Sequence, residues 1–466
     1  MDSAMSVPSP ITSRRRTLLI YSQVFIPDPA SVGQHIADVA MEMARRGHPV
    51  RVYTSARGYE NPAIKYARRE TIRGVEVRRL PLASFGKKSI GTRVLGTAAF
   101  MAQALFAGLF LRDLGGVFFS TSPPLVGVIA SIVGWVRRVR IAYWAMDLNP
   151  DQLIALGKLK PTGAAARLLE AVNRLILRRS ALIVALDRFM ADRLERRDPA
   201  LRLRDKILVM PPWPHEEHIA ASGAPGPDAP EPVEAGDQNP FRIRHGLSDK
   251  FVVMYSGNHS PSNPLTTLLD AAVRFRDDPG ICFLFVGGGI GKKEVEAVIR
   301  EHALSNAISL PYQPLADLCH SLSAAQVHVV SLGQEMVGII HPCKAYGAMA
   351  AGRPLLYFGP RPSHIADILD AQPIGRWVAH GDVDAAVRAI EEFRAMPPAL
   401  LADMGRTSRA FLRETLGQEM LCSRFCDRLE LALYRQGPLS VDGSPASPVR
   451  QADDSIPTRQ TQALRT

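Results

Sequence analysis

Cysteine is scarce in this sequence. Five stand among 466 residues, Cys282, Cys319, Cys343, Cys422 and Cys426, all in the second half. Their spacing fits neither a disulfide framework nor a metal site, which points to a reducing compartment. Cys422 and Cys426 share a face if their segment is helical, and they read as core thiols. Long apolar runs are missing too. The richest, "GTAAFMAQALFAGLFLRD" at 96–113, holds about fifteen mostly apolar residues, too few to span a bilayer comfortably. "LVGVIASIVGWVRRVR" at 125–140 repeats the theme with a basic end. Arg14-Arg15-Arg16 leads only into "TLLIY", a strand-length run, so no secretory leader is expected. No D-x-D pair reads as lying on a loop to hold a metal, and Asp277-Asp278, just before Pro-Gly, reads as a turn. The basic residues are scattered without interleaved aromatics, which argues against nucleic acid.

What is present suits two globular domains, with 46% apolar and 22% charged residues. Charge is unevenly placed. Residues 1–210 hold 33 Lys and Arg against 16 Asp and Glu, and the remainder holds 23 against 29. A basic half beside an acidic half suggests that the first faces a polyanion, such as an anionic membrane surface, unless it is simply a solvated face.

The pattern along the chain alternates strands with helices. "RTLLIYSQVF" (16–25), "PVRVYTSA", "GVEVRRLPL" (74–82), "GVFFSTSPP" (116–124), "RIAYWAMDLNPD" (140–151), the start of "SALIVALDRFM" and "DKILVMPPWP" (205–214) read as strands. "QHIADVAMEMARRGH" (34–48) is apolar at 36, 39, 40, 43 and 44, a helical face that stops at Gly47. Residues 215–240 are rich in Ala, Pro, Gly and acids and read as a linker. The alternation then restarts at "FVVMYSGNHSP" (251–261) and runs to about residue 436. Residues 1–15 and 437–466 read as disordered. The expected fold is α/β: two Rossmann-like doubly wound domains, 16–214 and 241–436, facing a cleft, with ligands at the carboxyl ends of the strands.

Three motifs fall at such ends. "FVGGGIGKK" (285–293) fails the spacing of both the dinucleotide fingerprint and the Walker loop. Gly287 and Gly288 remain as a turn where backbone approaches a ligand, or as a plain tight turn. "YSGNHSPSNPLTTLL" (255–269) is strand, turn and helix. Gly257, Asn258 and His259 would reach a phosphate or sugar there, unless His259 is structural. "GIIHPCKAYGAMAAGRPLL" (338–356) places Lys344 in the first turn of a helix, where the dipole disfavours a cation. An anionic ligand accounts for that position, and so does a lysine pointing into water. With an anion, free N–H groups, the helix dipole and Lys344 would converge on a diphosphate without a metal. Ile339 and Ile340, just before it, join the donor-side set.

These motifs, with Gly33-Gln34-His35, "ARRGHPVRVYTS", "STSPPLVG", "MDLNPD" and "GDVDAAVRAI", resemble the glycosyltransferases of the GT-B fold, family 4, over residues 16–436. The look-alikes are bacterial enzymes that build exopolysaccharide or O-antigen units on a polyprenyl carrier. The resemblance implies a retaining transferase with no cofactor and no metal. Its co-substrate would be a nucleoside-diphosphate sugar, UDP-linked by expectation, and its acceptor a polyprenyl-diphosphate-linked saccharide. It implies donor contacts by Gly33 and by the turns above, Lys344 on the leaving diphosphate, and Asp147 facing the donor. Asp147 would take the acceptor's proton or orient its hydroxyl, or merely cap its own turn. The family's ribose-contacting glutamate is replaced by Gly347, and Glu335 is out of register for the other. The two apolar segments read mainly as buried helices, with Lys87, Lys88 and Arg93 as contacts at the inner face of the cytoplasmic membrane. A sugar-nucleotide epimerase of the same fold and an inactive scaffold are the rival readings.

Overall fold

The computed structural model describes residues 16–28, 30–58, 63–81, 90–214 and 239–434. The expected linker lies outside the described residues from 215 to 238, as do residues 1–15 and 435–466. Two sheets form. The first holds β1 (Thr17–Tyr21), β2 (Val50–Ser55), β3 (Arg69–Ile72), β4 (Val75–Leu80), β5 (Leu114–Ser120), β6 (Arg140–Ala145), β7 (Ser180–Ala185) and β8 (Ile207–Val209), in the order β3-β4-β2-β1-β5-β6-β7-β8. The second holds β9 (Phe251–Ser256), β10 (Ile281–Val286), β11 (Ala307–Leu310), β12 (Val327–Ser331), β13 (Leu355–Phe358) and β14 (Gly375–Val378), in the order β11-β10-β9-β12-β13-β14. All pairings are parallel except β3 with β4. Strands covered on both faces need no alternation, and β5 and β10 are buried at every residue. This is the expected doubly wound architecture. The hairpin strand β3, which carries no apolar run, is an addition to it.

The second sheet reverses its winding between β9 and β12, and doubly wound sheets hold ligands at that point. The segment after β12 reaches the first domain. Leu148 N–H, just past β6, donates to Ile339 O (3.0 Å). One apolar cluster joins Met190 and Trp144 of the first domain to Met336, Ile339 and Tyr346 of the second, so the floor of the cleft is packed.

Chain continuity assigns the last helix, Gln418–Tyr434, to the second domain, but it packs on β5, β6, β7 and the helix Ser31–Arg45. Phe425 lies against Trp144 with ring centroids 4.5 Å apart, and Arg46 reaches Asp427 (2.6 Å). Its Cys422 and Cys426 are buried, as their shared face predicts.

Candidate active site

The three motifs of the second half meet at one place. β9 ends in Gly257 (φ 136°) and β10 in Gly287 (φ 138°), a backbone region open to glycine. The turns interlock through Gly257 N–H to Val286 O (2.9 Å), His259 N–H to Gly288 O (2.7 Å) and Gly291 N–H to His259 O (2.9 Å). A Cβ at Gly287 would stand 2.0 Å from Gly257 O. Gly287→Ala is therefore expected to destabilise the protein by about 1–3 kcal/mol or more and to weaken nucleotide binding. Chemical denaturation and calorimetry would read this, and unchanged values would contradict the interlock.

Lys344 crosses this junction. A Cβ on Gly257 would meet its Cε at 2.6 Å, so the lysine stem lies flat over the glycine. Its Nζ donates to Asn263 Oδ1 (3.0 Å) and stands 5.6 Å from the centroid of the Tyr255 ring. Asn263 is held in turn by Ser331 O at the end of β12 (2.7 Å). Lys344 is half-buried, and burial lowers its pKa from 10.5 to about 8. Its only close polar partner among these is a neutral amide, so the amine's charge is left for a ligand.

The helix itself contributes less than its sequence suggests. Lys344–Ala350 has only seven residues. The amides of Ala345 and Tyr346 donate to Pro342 O (3.2 Å) and Cys343 O (3.0 Å). The preceding turn thus takes two of the first-turn amides that were expected to be free, which leaves the Lys344 cation as the main anion-directed group of the helix start.

Asp147 follows β6 in the first domain. It is half-buried, and burial raises its carboxyl from 3.8 to about 6. It lies close enough to Cys343, an exposed residue, to act electrostatically on its thiol. Burial pushes that thiol up to about 12, with Lys344 opposing and Asp147 adding to the shift. Asp147 of the first domain and Lys344 of the second therefore both act electrostatically on Cys343.

The remaining expected residues are placed as follows. His259 is buried, hydrogen-bonds Gly288 O through Nδ1 (3.3 Å), and has its pKa lowered by burial. Asn258 supplies its carbonyl to the Tyr255 hydroxyl (2.8 Å). Gly288 sits under the Tyr312 ring, which a Cβ would meet at 2.9 Å. Gly33 lies inside the helix Ser31–Arg45, where a Cβ would crowd the Phe25 N and Val24 C atoms at 3.1 Å. Ile339 is buried and Ile340 half-buried against the interdomain core, so they join the domains by packing. Lys87 and Lys88 lie outside the described residues, as does the side chain of Arg93. Gly347 has open space around it, the nearest atom to a Cβ being Leu322 Cδ1 at 3.9 Å. Among the described residues no three His, Cys, Asp or Glu side chains gather as metal ligands. The one D-x-D, at Asp382 and Asp384, opens a helix that Asp382 caps.

Sequence reading missed Asn263 and Lys292. Lys292 Nζ ties the glycine turn by donating to Gly287 O (2.8 Å) and Leu310 O (2.7 Å). The "GKK" that fails as a Walker motif therefore has a local structural use.

Comparison with known proteins bears on the family and the fold. Residues 31–213 match a family described as a glycosyl transferase 4-like domain, and residues 237–411 match glycosyl transferases group 1. The chain is 24% identical over 425 residues, 88% of itself and 98% of the relative, to a protein of Escherichia coli K12 designated a colanic acid biosynthesis glycosyl transferase, WcaI. It is 25% identical over 338 residues, 70% of itself and 78% of the relative, to WbjE of Pseudomonas aeruginosa, designated a glycosyltransferase. In fold it is similar to Anabaena HepE solved with UDP and glucose, at TM-score 0.63 and 16% identity over 89% of this chain and all of the other.

Proposed function

The chain belongs to the family-4 glycosyltransferases of the GT-B fold, and we propose that it moves a hexosyl or N-acetylhexosaminyl group from a UDP-linked donor to a polyprenyl-diphosphate-linked saccharide. The reaction retains the anomeric configuration, needs no metal and contributes to surface polysaccharide. The observation that carries this reading is Lys344 lying across Gly257 at the switch point of the second sheet. As the bond to the sugar loosens, negative charge grows on the leaving diphosphate, and a fixed cation stabilises that charge. Asp147 takes the proton of the acceptor hydroxyl, and its raised pKa suits a base working near neutrality. The donor assignment draws on the UDP held by the Anabaena neighbour, and the polysaccharide role on the name of the Escherichia coli relative. Incubation with labelled UDP-sugars and a polyprenyl-diphosphate saccharide, in EDTA, tests the reading. Label entering the lipid fraction supports it, and label that stays on nucleotide contradicts it.

The acceptor would bring the enzyme to the membrane surface. No helix among the described residues is long and apolar enough to cross a membrane. Instead, the adjoining helices Ile90–Leu109 and Val126–Arg137 bury one side and leave Phe106, Phe110, Trp135 and Val136 exposed, Phe110 by 79% and Trp135 by 66%. Exposed Arg112 and Arg138 flank them. Apolar side chains beside basic ones suit the interface of an anionic bilayer. Phe110→Glu with Trp135→Glu is expected to reduce sedimentation with anionic phospholipid vesicles by about tenfold or more. Equal sedimentation of variant and parent would remove this surface from the account.

A further inference from the structure

Four titratable side chains, His364 half-buried and the other three buried, link the two domains. Asp187 follows β7. It accepts the Met190 N–H through Oδ1 (2.8 Å), capping the helix Arg188–Arg197, and presents Oδ2 to His341 Nδ1 of the second domain (2.8 Å). His341 Nε2 meets the Tyr346 hydroxyl (2.6 Å), and that hydroxyl meets His364 Nε2 (3.1 Å). The His341 side chain is 0% exposed and that of Asp187 3%. The His341 side chain therefore touches no solvent in this arrangement of the domains.

The Tyr346 hydroxyl has one proton and stands between two imidazole nitrogens, so it donates to one and accepts from the other. With Asp187 ionised, as His341 beside it favours against the cost of burial, His341 donates from Nδ1. When Tyr346 donates to His341 Nε2, His364 donates its own Nε2 proton to the Tyr346 oxygen; when Tyr346 donates to His364, His341 Nε2 donates to it. Burial lowers the pKa of His364 to about 3, which keeps that ring neutral.

The chain holds a particular stretch. Gly338 packs so closely on the first domain that a Cβ would stand 2.5 Å from Phe189 O, and Ile339 O accepts from Leu148. His341 follows, and Lys344 is three residues further on. Tyr346 is in the second position after Lys344 on the same helix. Arg188 and Asp367 add an ion pair beside the chain (2.7 Å).

We propose that Asp187, His341, Tyr346 and His364 are positioning residues for Lys344. They fix the start of the helix Lys344–Ala350 against the first domain, so that the amine is placed only while the domains are docked. This rests on the reading of Lys344 as the cation on the donor diphosphate.

Two readouts on the full-length protein test it: UDP affinity by calorimetry, and the rate at which a maleimide modifies Cys343. Cys343 is the exposed one of the five cysteines and stands beside Lys344, so its rate reports on the helix start. Asp187→Ala and the milder Tyr346→Phe are each expected to weaken UDP binding about tenfold and to change the labelling rate about threefold. Asp187→Asn keeps the cap and still bonds His341 in its other tautomer, and is expected to stay within about threefold of the parent. A role in folding alone predicts lower melting temperatures with unchanged affinity and labelling below the melt, and that result overturns the proposal. If the parent binds no UDP, the donor reading fails, and labelling decides positioning alone. Unchanged labelling in both variants then overturns it, and altered labelling with parental labelling in Asp187→Asn upholds it.

Discussion

Lys344→Ala is expected to lower kcat/KM by about 100- to 1,000-fold, the usual loss when one preorganised donor to a developing oxyanion is removed. The fold should not suffer. Burial lowers the lysine pKa from 10.5 to about 8, so the charged form is disfavoured in the folded state. That deficit is complete below pH 8 and fades as pH rises from 8 toward 10.5, and it amounts to about 3 kcal/mol at most. Removing the amine relieves it at pH 7, while removing the stem loses packing over Gly257. Lys344→Met keeps most of the stem and is expected to be at least as stable as the parent and as inactive as the alanine variant. Thermal melts beside initial rates read both effects. Near-parental rates in either variant would end the diphosphate assignment.

Asp147→Asn is the second large effect, with a loss of about 100- to 10,000-fold expected for a general base. Its carboxyl is raised from 3.8 to about 6 by burial, so ionisation is disfavoured in the fold. The resulting instability develops as pH rises from 3.8 and is complete above about 6, where it reaches about 3 kcal/mol at most. The asparagine variant should therefore be more stable than the parent at pH 8 and no more stable at pH 3. The same two groups set the pH profile. In the free enzyme kcat/KM is expected to rise through about pH 6, as Asp147 ionises, and to fall through about pH 8, as Lys344 loses its proton. Asp147→Asn should erase the acid limb and leave the alkaline one. An unchanged acid limb would return Asp147 to the role of a turn residue.

Both candidate residues could be picked from the sequence because Asp147 follows an apolar strand and Lys344 opens a helix beyond one, and doubly wound sheets gather their ligand sites at such ends. The glycine turns were legible for the same reason. Their interlock was not, since Gly257 and Gly287 meet only through the pairing of β9 with β10, which no local pattern encodes. Asn263 escaped notice because an asparagine before a proline reads as a turn residue. Asp187 and His341 are 154 positions apart, and only domain docking joins them. The helix Gln418–Tyr434 returns to the first domain for a similar reason: its apolar face fits either sheet, and tertiary packing chooses. At the start of Lys344–Ala350 the sequence promised a dipole and free amides, and the turn at Pro342–Cys343 took those of Ala345 and Tyr346.

The central claim is that a cation built into the chain, with no metal, holds a nucleoside-diphosphate sugar at the junction of Gly257, Gly287 and Lys344. The most direct test is calorimetric titration of the purified protein, in EDTA, with a panel of nucleoside-diphosphate sugars, repeated on Lys344→Ala. The account predicts saturable binding of one nucleotide class, UDP-sugars first, that survives EDTA and weakens at least tenfold in the variant, about 1.4 kcal/mol or more. A folded parent protein that binds none of them would contradict it and would direct attention to Gly347, where the family's ribose-contacting carboxylate is missing.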